Sequence, residues 1–302
     1  MSRLQADALL LLTAIIWGTA FLAQKTGMEG LGPYGFVGYR FLLSFLVVLP
    51  VALWEIKRPR ADAVTKPRKI HPVWLGLLCI SFVAGVILQQ VGIKYTSITN
   101  AGFLTGLYVV GVPFAAWLLM KRRPGIMVLP FCFIAVLGTW LLNGASLTDF
   151  RMGDMLVILC AGSFAVQVVV IGYIVQITQR PFLYSVIQYG VCAFIGLLLA
   201  FVYEDISFDL FVRNAPELLY AGLVSGGIAY TLQAVAQQHT PSADAALILA
   251  SEAVFAAIAG VLLLNERLDM MAWSGCALIL LAIVMVEISA YWKHLRLKLL
   301  PR

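Results

Sequence analysis

Charge is scarce in this 302-residue chain: Asp, Glu, Lys and Arg make up 12% of it, against 62% hydrophobic residues. A soluble domain carries about a quarter charged residues. A water-facing globule is therefore excluded, and most of the surface must face lipid. Histidine is nearly missing: His71, His239 and His294 all fall in loops or at helix ends. No H-E-x-x-H, G-x-S-x-G or G-x-x-x-x-G-K-[ST] occurs, so neither a catalytic constellation nor ATP-driven work by this chain alone is expected. A T-V-G-Y-G channel filter is absent too. Paired or metal-spaced cysteines are lacking. Cys79, Cys132, Cys160, Cys192 and Cys276 sit in apolar runs and read as packing residues, so no metal and no cofactor are expected. There is no A-x-A cleavage site after the first apolar run, which therefore reads as a membrane span.

What is present is apolar sequence in pieces long enough to cross about 30 Å of hydrocarbon. Mean hydropathy is +0.94. Spans are predicted at 6–24, 36–54, 73–93, 99–120, 126–143, 154–176, 182–202, 216–238, 243–264 and 271–292. Only helices fit, because lipid satisfies no open strand edge and the alternation of a barrel is missing. The net charge of +6 needs no nucleic acid to explain it. With ten spans, Arg3, Lys57, Arg58, Arg60, Lys66, Arg68, Lys69, Lys121, Arg122, Arg123, Arg180, Lys293, Arg296, Lys298 and Arg302 share one face. Lys25, Lys94, Arg151, Arg213 and Arg267 take the other, and Arg40 lies inside a span. Basic loops stay cytoplasmic, so both termini are predicted there.

The chain also repeats. A shift of 144 residues lays Leu88–Gln89 on Leu232–Gln233, Thr96 on Thr240, Ala101 on Ala245, Met127 on Met271 and Cys132 on Cys276, without a gap. Gly18 falls on Gly162. The halves are predicted as 1–144 and 145–302. Five spans per half is an odd number, so the second half enters the bilayer inverted. That architecture accompanies alternating access in secondary transporters.

The stretch Ser251–Glu252–Ala253–Val254–Phe255–Ala256–Ala257, continuing through Gly260 to Leu268, resembles the signature of EamA-type members of the drug/metabolite transporter superfamily. So do Tyr95–Thr96–Ser97–Ile98–Thr99–Asn100–Ala101 with Pro113, Trp17–Gly18, and Tyr39–Arg40–Phe41. The resemblance covers nearly the whole chain. It implies an all-α integral membrane protein, with ten helices as two inverted five-helix repeats around a central cavity. It also implies export of amino acids or related metabolites, and the aromatic content is most similar to bacterial aromatic and neutral amino-acid exporters of the YddG kind. The family often has Pro after the Glu of the ninth span. Here that residue is Ala253, which puts a kink there in doubt.

Polar residues within spans are the candidates for chemistry, since a charge at a helix centre costs at least about 2–3 kcal/mol. Glu252 reads either as a cavity carboxylate, meeting an ammonium group or a proton, or as a carboxyl joining two helices. Arg40 and Lys94 could hold a substrate carboxylate, with snorkelling to the headgroups as the default. Gln89, Gln90 and Gln233 need partners, from neighbouring helices or from substrate. Trp17, Phe103, Tyr108, Phe164, Tyr173 and Tyr230 could stack on substrate or pack against neighbours. Tyr39 offers a polar tip near Arg40, and Ser163 follows Gly162 in the second half. Gly102, Gly106, Gly226 and Gly227 permit close contact or bending, and Pro113 should kink the fourth span. Asn100, and Thr240 with Asp244, read as helix caps.

The reading that unites these is a secondary exporter of aromatic or other neutral amino acids. Its partners would be the lipid bilayer and a small-molecule substrate, not nucleic acid. It would sit in a bacterial inner membrane as a monomer or homodimer. A nucleotide-sugar or drug carrier of the same superfamily is the alternative, and a non-transporting scaffold or receptor is the rival outside it.

Overall fold

In a computed structural model, residues 1–28, 30–58, 70–96, 98–121, 128–142, 151–204, 208–264 and 268–299 are described. The expected boundary at 144–145, the basic residues within 59–69 and 122–127, Glu266–Arg267 and the Asn100 side chain lie outside them. The described residues are helical throughout and include no strand. In order, the helices are α1 (Arg3–Thr26), α2 (Gly32–Lys57), α3 (Pro72–Tyr95), α4 (Ile98–Gly106), α5 (Tyr108–Met120), α6 (Val128–Leu142) and α7 (Met152–Thr178). Then come α8 (Pro181–Tyr203), α9 (Phe208–Arg213), α10 (Ala215–Leu219), a π-helical segment (Tyr220–Ala229) and α11 (Tyr230–Ala236). The chain continues through α12 (Ser242–Leu249), α13 (Glu252–Leu264) and α14 (Met270–Leu299). Among the described residues, eight helical stretches are long and apolar enough to cross a membrane. Two shorter apolar helices, Leu129–Leu142 and Met270–Met285, add to them.

The most extensive packing pairs helices that are distant in sequence: α2 with α8, α3 with α7, α6 with α14, α2 with the π-helical segment and α1 with α13. Small residues make these crossings, because lipid provides no hydrophobic drive between helices and close van der Waals contact must replace it. A Cβ on Gly138 would lie 2.7 Å from the Gly275 carbonyl oxygen, so α6 and α14 touch backbone to backbone. The α2–α8 pair is tied at both ends by carboxylates. Glu204, at the end of α8, accepts from the backbone N–H groups of Tyr34 (3.0 Å) and Gly35 (2.7 Å) in the first turn of α2. Glu55, near the end of α2, accepts from Phe182 (3.4 Å) and Leu183 (2.9 Å) in the first turn of α8. Neither helix has an N-cap side-chain bond of its own, so each is capped by the other.

Two spanning helices are interrupted. Between α4 and α5 the break falls at Leu107, where the backbone tightens to a Leu107 N–H to Leu104 carbonyl bond. Pro113 has no N–H to give Val109, and the Cys132 thiol donates to that carbonyl instead (3.3 Å). The cysteine expected only to pack thus repairs the proline's defect. Between α12 and α13 the break falls at Ala250–Ser251. Ala253 had put a kink there in doubt. The chain breaks without proline, because the Ser251 hydroxyl takes the Ile248 carbonyl at 2.6 Å and competes with the helical ladder. In the 144-residue register Leu107 falls on Ser251, so both breaks occupy one position of the repeat.

The π-helical segment has no such counterpart, since its mate within α3 is regular. Side chains of the first half hold its carbonyls. Ser44 Oγ donates to Gly222 (2.7 Å), Trp17 Nε1 to Ser225 (3.2 Å) and Thr13 Oγ1 to Ala229 (3.3 Å). A Cβ on Gly222 would lie 2.8 Å from the Arg40 carbonyl oxygen, so this face accepts only glycine. Wide winding of this kind is rare and concentrates at functional sites.

Candidate functional site

The interrupted helices and the π segment surround a cavity in the middle of the bundle. Its volume is about 30 Å³. It therefore has room for a water or two, and a metabolite would require the walls to part. Trp17, Phe21 and Gln24 come from α1, Arg40 from α2, and Gln89 from α3. Thr105 comes from α4 and Tyr108 from the first residue of α5. The second half supplies Phe164, Gln167 and Val168 from α7, Ser225 from the π segment, and Tyr230 and Gln233 from α11. Glu252, the first residue of α13, closes the wall.

Arg40 is the main charge on the first-half wall. It does not snorkel, contrary to expectation: it is 2% exposed. Phe36 and Phe41 flank the guanidinium at 5.9 and 4.7 Å, and its Nη1 donates to Gln24 Oε1 at 2.8 Å, which holds it inside the bundle. Among the described residues no carboxylate lies within 4.0 Å of it, and its Nε has no hydrogen-bond partner. Gln24 is itself fixed, its carbonyl accepting from Gln90 Nε2 at 3.0 Å. Gln89 Nε2 donates to Thr105 Oγ1 at 3.2 Å.

The second-half wall carries two linked amides, Gln167 and Gln233, beside Glu252. Gln233 Nε2 donates to Gln237 Oε1 (3.1 Å) and Gln167 Oε1 (3.4 Å), and Gln167 Nε2 donates to Gln188 Oε1 (3.3 Å). Glu252 is 3% exposed, and its Oε1 has no hydrogen-bond partner. It sits where α1 and α13 touch: a Cβ on Gly18 would lie 2.6 Å from the Glu252 carbonyl oxygen. Tyr108, which the repeat register lays on Glu252, likewise has a buried hydroxyl without a partner. Buried polar atoms are normally paired. Here Arg40 Nε, Tyr108 Oη, Gln233 Oε1 and Glu252 Oε1 are unpaired and belong to residues of one cavity. The apolar wall is aromatic: the Trp17 and Tyr230 rings lie 4.5 Å apart, and Tyr230 meets Phe82 edge-on at 5.1 Å.

The residues singled out from sequence divide. Trp17, Arg40, Gln89, Tyr108, Phe164, Tyr230, Gln233 and Glu252 line the cavity. Tyr39 packs on Phe211 at 5.1 Å, Phe103 joins an apolar cluster with Leu104 and Ala101, and Ser163 bonds the Leu159 carbonyl of its own helix. Lys94 is exposed, and Tyr173 packs on Trp74 at 5.0 Å. Gly102 has nothing within 4 Å of a Cβ, and Gly106 ends α4 at the break. Gly226 lies close against Ser44, with Gly227 beside it. Thr240 does not cap α12, whose N-cap Pro241 has no side-chain bond. Its hydroxyl donates to Asp7 Oδ1 at 2.7 Å. Phe21, Gln24, Thr105, Gln167, Val168 and Ser225 complete the wall and were not singled out from sequence. Gln24 beside Lys25 looked like a span end, and Gln167 sits within a run of valines. An amide inside an apolar run was the signal that could have found it.

Comparison with known proteins agrees with this picture. The profile of the EamA-like transporter family matches residues 4–144 and again 151–288. A protein of Archaeoglobus fulgidus named as an uncharacterized transporter is 30% identical over 289 residues, covering 95% of this chain and 87% of its own. The uncharacterized transporter YwfM of Bacillus subtilis is 25% identical over 285 residues, covering 92% of each. A solved structure described only as a crystal structure of a protein superposes with a TM-score of 0.75 at 16% identity, over 95% of this chain and 97% of that one, and so shares the fold. With a helical bundle fit for lipid, a cavity of unpaired polar atoms at its centre and the family's profile matched twice, the chain belongs to the EamA-like transporter family and is a multi-pass membrane transporter.

Proposed function

We propose that this transporter exports aromatic or other neutral amino acids by alternating access around the central cavity. The observation that carries the proposal is Arg40, a guanidinium buried with no carboxylate within 4.0 Å among the described residues, sharing a cavity with Glu252, whose Oε1 has no partner. An isolated buried charge is costly, and a ligand of opposite sign offsets that cost. A zwitterion fits both poles, with its carboxylate on Arg40 and its ammonium on Glu252. Trp17, Phe21, Phe164 and Tyr230 offer ring faces to an apolar side chain. Nucleotide sugars fit less well, because among the described residues Arg40 is the only cation on the wall and a diphosphate calls for several.

The same reading includes ten spans in two inverted halves, with both termini cytoplasmic in a bacterial inner membrane. Its support is that the packing obeys an exchange of halves. The α3–α7 contact has its counterpart in α1 against the π segment and α11, and α5 with α12 has its counterpart in α13 with α4. The α2–α8 and α6–α14 pairs are their own counterparts. The breaks at Leu107 and Ser251 fall at matched positions. Counterflow in proteoliposomes over a panel of amino acids tests the proposal. Exchange of phenylalanine, leucine or similar substrates is expected, and no exchange of any amino acid by correctly inserted protein would defeat it.

A further inference from the structure

Two buried ties join the halves, one at each end of the bundle, and the threonines that make them are matched by the repeat. At the end that carries the N-terminus, Thr240 Oγ1 donates to Asp7 Oδ1 at 2.7 Å. This bond ties the hairpin before α12 to α1. At the opposite end, Thr96 Oγ1 donates to the Asp154 carboxylate and ties the hairpin before α4 to α7. Thr96 and Thr240 are matched by the 144-residue shift. In each case a threonine at the hairpin preceding an interrupted helix of one half grips an aspartate near the start of the first helix of the other half. Both threonines and both aspartates are buried.

The two ends are not equal. Asp7 and Asp244 are bridged by Arg3, with Nη2 2.7 Å from Asp244 Oδ2 and Nε 3.4 Å from Asp7 Oδ2. At the opposite end Asp154 receives, besides Thr96, the Arg151 backbone N–H at 2.8 Å. Among the described residues, an ion pair that joins the halves is thus present at the N-terminal end, while the other end holds its aspartate with neutral donors. Resting on the reading of the cavity as the transport site, the geometry points to these two contacts as its gates: Asp7–Thr240, reinforced by Arg3–Asp244, and Asp154–Thr96. Each must part for its mouth to open, while the other stays closed so that the membrane does not leak. The added ion pair biases the carrier toward opening at the Asp154 end.

A cysteine reporter on the cavity wall, Ser225→Cys in the full-length chain, reads this in vesicles treated with a membrane-impermeant maleimide from either side. The five native cysteines are buried, and the chain without the reporter sets the background. With the gates intact, labelling is expected to be faster from the Asp154 side. Thr240→Val with Asp244→Asn should raise labelling from the N-terminal side by about fivefold or more. Thr96→Val should raise it from the Asp154 side alone, and Asp244→Glu, which keeps the charge, should stay near the starting rate. Equal or unchanged labelling from both sides in both gate variants, with melting temperatures preserved, overturns the inference. If a variant melts early, Asp7→Asn or Arg3→Gln replaces it with the same expected direction. Amino-acid counterflow of the unsubstituted chain is measured separately. Its absence sinks the transport reading, and the labelling pattern still decides the gates.

Discussion

The two halves of the bundle contribute unlike walls to one cavity. The first half presents a cation, Arg40, held by Gln24 and Gln90. The second presents two amides, Gln167 and Gln233, backed by Gln188 and Gln237, and the carboxyl of Glu252. A repeated fold therefore does not impose repeated chemistry. Helix packing constrains size and polarity at each crossing, and charge is free to differ wherever the side chain faces a void. The difference gives the cavity a direction, which a zwitterion would follow.

The largest expected effect comes from removing the first-half charge. Arg40→Met should lower amino-acid affinity and counterflow by about 10–100-fold, the worth of a charge-assisted hydrogen bond. Folding should survive, because among the described residues no carboxylate partner is left behind. Gln167→Leu in the opposing wall should cost far less, and equal losses in the two would erase the contrast. Next come the glycines matched by the repeat. Gly18→Ala must push α13 away from α1 and should destabilise the protein by about 1–3 kcal/mol in detergent melts. Gly162→Ala meets nothing within 4 Å and should be neutral or stabilising by about 0.5 kcal/mol. A smaller effect is expected of Glu252→Gln. It should weaken an amino acid by about tenfold relative to the same acid lacking its amine, consistent with one ionic contact. A substitution that weakens both equally would remove the ammonium pole from the proposal. Smallest is Pro113→Ala, which restores a donor for Val109 and frees the Cys132 thiol. The expected cost is under about 1 kcal/mol in melts, with faster alkylation of Cys132.

Much of the helical layout was legible, because apolar runs of this length have one stable backbone in lipid. Charges and amides within those runs were legible as candidates for the same reason: at that depth they need an explanation. Arg40, Gln89, Gln233 and Glu252 were reached in this way, and they do line one cavity. Rings gave a weaker signal, since a phenylalanine or tyrosine suits lipid, core and cavity alike. Phe103 and Tyr39 went to packing, while Trp17 and Tyr230 faced the void. Arg40 was misjudged as a snorkelling residue because reach to the headgroups is measured along one helix, whereas Gln24 and Gln90, which retain it, arrive through folding. The break at Ser251 was doubtful for want of proline, and a serine hydroxyl makes it instead.

By itself, then, the order of residues determined the solvent, the helical class, the tandem repeat and the short set of buried polar side chains, all of which follow from local composition and from the backbone's need for hydrogen bonds in lipid. Only the tertiary structure decided which of those side chains meet. It placed Asp7 against Thr240 and Thr96 against Asp154, wound Tyr220–Ala229 wide around donors from α1 and α2, and left Arg40 with no carboxylate within 4.0 Å among the described residues. The two aspartate contacts span 58 and 233 residues of chain, settled by how helices from the two halves cross, and no local pattern encodes that.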